Sequence, residues 1–186
     1  MSPLERLPDS LRTALGRTKL LALDVDGVMT DGRVVYSAAT PGLGVHEQQS
    51  FDVQDGIALR WLSKCGVKIV WITGRGCAVT AHRANELKID ALEMDVVSKR
   101  DVLERLQAQF EAGVDETVAM GDDLPDLGMR ARAGVFAAPS NARPEILACS
   151  DLRLARRGGD GAVRELAEHI LRARGRWDEI VEAARR

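Results

Sequence analysis

At 186 residues the chain is long enough for one compact domain with a full core and leaves no obvious room for a second. Charged residues make up 29% and apolar residues 45%, and a net charge of -2 exerts no global pull toward nucleic acid or membrane, so partners have to be inferred locally. Cys65, Cys77 and Cys149 are odd in number and lack C-x-x-C spacing, which argues against a disulfide framework or a zinc site and fits a reducing cytoplasm. The apolar runs are too short to span a bilayer, and the start Met-Ser-Pro-Leu-Glu-Arg has no signal-peptide apolar region.

Residues 1–18 read as a short helical extension of a domain covering 19–186. From there short apolar runs alternate with amphipathic stretches, the pattern of strands and crossover helices in a parallel sheet, so the class is α/β, doubly wound and Rossmann-like. Strands are expected at 19–25, 67–72, 91–94, 117–120, 134–137 and 151–154, and helices at 55–65, 77–87, 98–112, 124–132, 142–148 and 161–173. The segment 33–53 breaks this rhythm: Val34-Val35-Tyr36, the turn-rich Thr40-Pro41-Gly42-Leu43-Gly44 and Phe51-Asp52-Val53 read as a β-hairpin projecting from the sheet. The stretch 161–186 reads as a helix followed by a charged tail whose arginines and acids interleave on a solvated face.

The chemistry begins directly after the first strand, at Asp24-Val25-Asp26-Gly27. Open parallel sheets bind ligands at the carboxyl ends of their strands, and residues two apart in extended chain face one side, so Asp24 and Asp26 can converge. Two carboxylates so close call for a cation, and hard oxygen donors suit Mg²⁺. An Asp-rich turn is the plain alternative. A calcium loop of the EF-hand type is excluded, because its fifth and twelfth positions would be Val28 and Val35. A second acidic cluster, Gly121-Asp122-Asp123-Leu124-Pro125-Asp126, also follows a strand; alone it reads as a helix cap, but beside the first it can complete an oxygen cage. Thr73-Gly74-Arg75-Gly76, between a strand and a helix, offers a hydroxyl and free N–H groups as a phosphate seat, or simply a capped Gly-rich turn. Lys99 at the next helix start can neutralise a phosphate or an aspartate, or be merely solvated. His46, His82 and His169 read as surface or hairpin residues, and Trp61, Trp71 and Trp177 as packing residues.

Acid pair, Thr, Lys and acid cluster, each behind its own strand, resemble the four motifs of the haloacid dehalogenase superfamily, here Asp24/Asp26, Thr73, Lys99 and Gly121–Asp126, over residues 19 to about 180. The resemblance implies a Mg²⁺-dependent phosphomonoesterase. By that resemblance Asp24 would be the nucleophile that forms an aspartyl-phosphate, and Asp26 would protonate the leaving alcohol and then activate water. Mg²⁺ is held by Asp24, the backbone carbonyl of Asp26 and Asp122, while Asp123 and Asp126 orient these ligands or Lys99. Only about 45 residues separate Asp26 from Thr73 and fewer than 25 separate Lys99 from Asp122, too few for an inserted cap domain. In the capless branch the site is closed by tetramerisation, so a homotetramer is implied, and the tail is implied to reach a neighbouring site.

Within that branch the chain is similar to the 3-deoxy-D-manno-octulosonate 8-phosphate phosphatase family. It shares Asp24–Gly32, Phe51-Asp52-Val53-Gln54-Asp55-Gly56, Ile72-Thr73-Gly74-Arg75, Gly121–Asp126 and Arg157-Gly158-Gly159-Asp160-Gly161-Ala162-Val163-Arg164-Glu165. The resemblance implies a phosphorylated sugar acid as substrate, contacted by Asp52, Val53, Gln54, Asp55, Gly56, Arg60, Gly74, Arg75, Arg83 and Lys99. Two features depart from the family: Glu47-Gln48-Gln49-Ser50 precedes Phe51 where a Lys is common, and the hairpin is a few residues longer. Phosphatases for nine-carbon sugar-acid 9-phosphates share the same motifs. A phosphotransferase, or a non-catalytic scaffold of the same fold, stays open beside them.

Overall fold

The apolar runs form six strands of one parallel sheet, seen in a computed structural model that describes residues 7–38 and 45–185. In chain order the elements are α1 (Asp9–Gly16), β1 (Leu20–Leu23), β2 (Val35–Ala38), β3 (Val45–Gln48), α2 (Val53–Lys64), β4 (Lys68–Ile72), α3 (Ala78–Leu87), β5 (Ala91–Glu93) and α4 (Lys99–Gln109). They continue with β6 (Thr117–Met120), α5 (Leu127–Arg130), β7 (Val135–Ala138), α6 (Pro144–Cys149), β8 (Leu152–Arg153), α7 (Ala162–Ala173) and α8 (Trp177–Ala184). The sheet order is β5-β4-β1-β6-β7-β8, and β2 and β3 pair antiparallel as a separate hairpin. The expected turn at Thr40–Gly44 lies outside the described residues. Among those residues no helix is long and apolar enough to cross a membrane.

β1, β6 and β7 are buried along their whole length, as strands covered on both faces must be. Alternate residues serve two cores. Leu21, Leu23, Trp71, Val118 and Met120 meet Leu59, Leu62, Leu166 and Ile170 of α2 and α7, whereas Leu20, Ala22, Val70, Ala119 and Phe136 meet Leu103, Leu106, Met129 and Ile146 of α4, α5 and α6. The amino-terminal extension belongs to the first core, because Leu15 of α1 is fully buried there.

Four readings need correction. The hairpin's second strand is Val45–Gln48 and not Phe51-Asp52-Val53, because Asp52 caps α2 and Val53 begins it. The helix expected over 124–132 is divided into a 3₁₀ turn, Leu124–Asp126, and the short α5, because Asp126 turns its carboxylate back onto the N–H groups of Asp122 and Asp123. His169 is not a surface residue: it is buried on the inner face of α7, and that burial pushes its imidazole pKa down. The arginines after residue 161 are only partly solvated, since Arg164 lies 4.4 Å over the Trp61 ring and Arg174 donates to the carbonyl oxygens of Cys65 and Thr18.

The joint between α2 and α7 depends on a buried acid. Gly161, the residue before α7, has φ +88° and no side chain to cap the helix. Asp55, wholly buried in the first turn of α2, accepts the Arg164 N–H at 2.6 Å instead, placing a carboxyl group at the positive end of α7. Burial pushes its pKa up to about 7, Asp52 and Asp160 push the same way, and the N–H groups of Arg164 and Gly161 oppose them. The folded chain therefore retains a proton that the unfolded chain releases near 3.8, so this contribution to stability is complete below that pH and is lost as pH rises through about 7. Asp55→Asn, neutral at every pH, should gain stability relative to the native chain between about pH 4 and about pH 7 in urea unfolding. A difference independent of pH would show an ordinary carboxylate at this position.

Candidate active site

The sheet changes winding direction beside β1. Its two neighbours are β4, reached through α2, and β6, reached from the other edge, and ligands bind at such switch points. β1 and β6 run in register from Leu20↔Thr117 to Leu23↔Met120, and the ladder extends one step further as Asp24 donates its N–H to the Met120 carbonyl at 3.0 Å. Asp24 and Asp122 thus leave adjacent strand tips side by side. The turn between them works only with glycine at 27: its φ is +101°, and a Cβ there would lie 2.1 Å from Asp122 Oδ2.

The segment Arg157–Glu165 locks this turn from beneath. Asn141 donates to the Gly27 carbonyl at 3.0 Å and accepts the Gly158 N–H at 2.6 Å, while Gly159 donates to the Val28 carbonyl. A Cβ on Gly158 would fall 1.8 Å from Gly27 O, so the backbones pack where no side chain fits.

Lys99, at the first position of α4, donates to Asp24 Oδ1 at 2.5 Å and to Asp126 Oδ1 at 2.6 Å, with all three side chains buried. Burial pushes the Asp24 pKa well above the usual carboxylate range and Asp126 adds to this, while Lys99 pulls it down. Burial alone would lower the Lys99 pKa, but the two carboxylates outweigh it and hold the ammonium above its ordinary value. Asp122 is pushed up to about 7, by burial first and then by Asp126 and Asp123. Oxygens of Asp24, Asp122 and Asp126 lie within 4.8 Å of one another, and acids driven this way relax when a cation arrives. Both Asp126 oxygens are already engaged, one by Lys99 and one by the N–H groups of Asp122 and Asp123. Asp24 and Asp122 are therefore the donors left for a metal, and an all-oxygen set fits a hard divalent ion. Asp123 is exposed and caps the 3₁₀ turn through the Leu124 N–H.

Asp26 faces the same cleft from the other side. Its Oδ2 accepts from Thr73 Oγ1 at 3.1 Å and its Oδ1 from Gln49 Nε2 at 2.9 Å. Thr73 Oγ1 also accepts the Arg75 N–H, which shapes the loop after β4, and Arg75 itself is paired to Glu47 at 2.6 Å. The cleft holds about 400 Å³ and is lined by Asp24, Asp26, Thr73, Gly74, Arg75 and Lys99 along with the second acidic cluster.

The remaining expected substrate contacts lie elsewhere within one chain. Arg60 donates to the Glu86 carbonyl, and Arg83 pairs with the Glu86 carboxylate at 2.7 Å, in space that Gly56 leaves open. Asp55 lies under α7, so it meets no ligand in this arrangement, and Asp52 caps α2 through the Gln54 N–H. Val53 and Gln54 are exposed on that helix, away from the acidic cleft. The sequence reading missed Glu47, Gln49 and Asn141. The first two carry a detectable signal, since two residues apart at the end of a strand they face the same side.

Gly27→Ala should combine backbone strain with displacement of the Asp122 carboxylate. Weaker divalent-cation binding by isothermal titration calorimetry is expected, with a strain cost of about 1–3 kcal/mol in unfolding. Undiminished binding would show that the turn has room to shift.

No protein-family model matches the chain. The 3-deoxy-D-manno-octulosonate 8-phosphate phosphatase KdsC of Yersinia pestis is 34% identical over 160 residues, 86% of this chain and 83% of the relative. Among solved structures, the phosphatase of the same name from Moraxella catarrhalis, in complex with magnesium, phosphate and KDO, has a TM-score of 0.88 at 33% identity, covering 94% of this chain and 98% of its own. A Legionella pneumophila protein described as a HAD-superfamily hydrolase of subfamily III A has a TM-score of 0.87 at 36% identity, covering 96% of each chain. At this identity and coverage, and with this likeness of fold, the chain belongs to the KdsC family of phosphatases in the haloacid dehalogenase superfamily.

Proposed function

We propose that the chain hydrolyses 3-deoxy-D-manno-octulosonate 8-phosphate to the free sugar acid and phosphate, with Asp24 as nucleophile. The observation that carries this reading is the arrangement of Asp24, held by Lys99 at the tip of β1, opposite Asp26, held by Thr73, across a cleft lined by the phosphate loop. Asp24, the Asp26 carbonyl and Asp122 would hold Mg²⁺, which when bound offsets charge on the phosphoryl oxygens. The loop after β4 would seat the phosphate through the Gly74 N–H, with the Thr73 hydroxyl exchanged between Asp26 and the phosphate. An Asp24 oxygen attacks phosphorus, the ester P–O bond breaks, and Asp26 gives its proton to the departing sugar hydroxyl. Water then attacks the aspartyl-phosphate, Asp26 takes back a proton, and phosphate leaves from Asp24. Asp123 and Asp126 support the ligands and Lys99.

The substrate assignment is supported by the names of the relatives and by the KDO, phosphate and magnesium in the Moraxella structure. A sugar acid carrying a phosphate and a carboxylate suits several arginines. Asp52, Val53, Gln54, Gly56, Arg60 and Arg83 would serve a site completed between subunits of a homotetramer in the cytoplasm, with Asp55 supporting them from beneath. Exposed apolar residues on the hairpin and on α2, Val35, Tyr36, Val45, Val53 and Ile57, are consistent with such contacts.

Phosphate release from 3-deoxy-D-manno-octulosonate 8-phosphate should stop with EDTA, return with Mg²⁺, and fall by roughly 10⁴-fold in Asp24→Asn. In a panel, kcat/KM for the eight-carbon 8-phosphate should exceed that for nine-carbon 9-phosphates. Equal values would overturn the substrate assignment, and an active Asp24→Asn would overturn the mechanism.

A further inference from the structure

We infer that Gln49 and Thr80 form a positioning relay that aims the Asp26 carboxyl group at the leaving oxygen, an inference that rests on Asp26 being the proton donor. Asp26 belongs to the turn after β1 and is half-buried, so its side chain needs outside partners to keep one orientation. Thr73 holds one oxygen at 3.1 Å, and Gln49 donates to the other at 2.9 Å. Gln49 is itself fixed: Thr80 Oγ1, buried in the first turn of α3, donates to Gln49 Oε1 at 2.8 Å. The Gln49 side chain therefore spans from the helix behind the phosphate loop to the proton donor.

The choice of side chains suits the task. A primary amide offers two donors and one acceptor, and a hydroxyl can donate or accept. With a carboxylate on one side, the amide presents its nitrogen to Asp26 and its oxygen to Thr80. An ammonium group in the same place would offer donors only. The strand end that delivers Gln49 is anchored two residues earlier, where Glu47 pairs with Arg75 at 2.6 Å. Both contacts come from the same side of the chain leaving β3, so the hairpin base is held to the proton donor and to the phosphate loop together.

General acid catalysis contributes about 10²–10⁴-fold, and misplacing the acid forfeits part of that. The part forfeited depends on the leaving group: an alkyl alkoxide needs the proton, whereas p-nitrophenolate departs without it. kcat/KM reports the steps up to phosphorylation of Asp24, so it isolates this contribution from the shared hydrolysis step. In Gln49→Met, similar in length but without hydrogen bonds, the ratio of kcat/KM for an alkyl phosphate to that for p-nitrophenyl phosphate should fall about 10- to 100-fold. Thr80→Val should lower the ratio in the same direction by less, and Thr80→Ser, which keeps the hydroxyl, should restore it.

Asp26→Asn is the control, with thermal melts showing that each variant is folded. If Asp26→Asn lowers both substrates equally, Asp26 is not the proton donor, and the relay falls with that reading. If Asp26→Asn discriminates between leaving groups but Gln49→Met lowers both substrates equally or neither, the proton donor stands and the relay is overturned. Should Gln49→Met melt far below the native chain, the comparison of Thr80→Val with Thr80→Ser decides alone: equal ratios in the two overturn the relay.

Discussion

The Lys99 ammonium, bonded to Asp24 and Asp126, is the interaction on which the site depends. A lysine and two aspartates are withdrawn from water together, each satisfied by the others, and removing one partner from such a buried group costs about 3–5 kcal/mol through the groups left unpaired. The lysine also stands at the first position of a helix, where the macrodipole disfavours a cation. A residue that breaks a local rule and is held by two remote acids marks a place where function outweighs local preference. The contact also draws together the tips of β1 and β6 and the start of α4, so the geometry of the cleft and the charge state of Asp24 rest on one bond pattern.

A second constraint comes from the backbone. The turn carrying Asp26 and Gly27 touches Asp122 on one face and the Gly158–Gly159 segment on the other, at separations that exclude any Cβ. Segments far apart in sequence are thereby fixed to a fraction of a side-chain length without a hydrophobic core between them. The same carboxyl-terminal region continues into α7, whose first turn is capped by Asp55 from α2. The segment leading into α7 is thus tied to the turn that carries the acids by the Gly159 N–H on the Val28 carbonyl, and α7 itself to α2 by Asp55.

Much of this arrangement was legible in the chain itself. Strands buried on both faces leave continuous apolar runs, and acids directly after two such runs place themselves at the sheet's carboxyl end. Lys99 and Thr73 were recognisable from their order in a four-part pattern, although neither is distinctive alone. What escaped depends on tertiary contact. The division of the helix at Leu124–Asp126 follows from Asp126 bonding backward to two N–H groups, which no periodicity records. His169 was read as a surface or hairpin residue, yet it falls on the inner face of α7. Arg60 and Arg83 were assigned to substrate by resemblance, and within one chain they meet Glu86 instead.

The charges in the cleft lead one step further. Five carboxylates line it, against Lys99 and Arg75 alone, and Glu47 already neutralises much of Arg75 while Lys99 is shared by two of the acids. A phosphate monoester entering such a space meets net repulsion, and the N–H groups and hydroxyl of the Thr73 loop carry only partial charges. A divalent cation held by Asp24 and Asp122 would offset that charge on the side facing the Thr73 loop. The acids that make the cleft hostile to the substrate are the same ones that make it attractive to the ion, and this reciprocity makes the chemistry conditional on metal without any moving part.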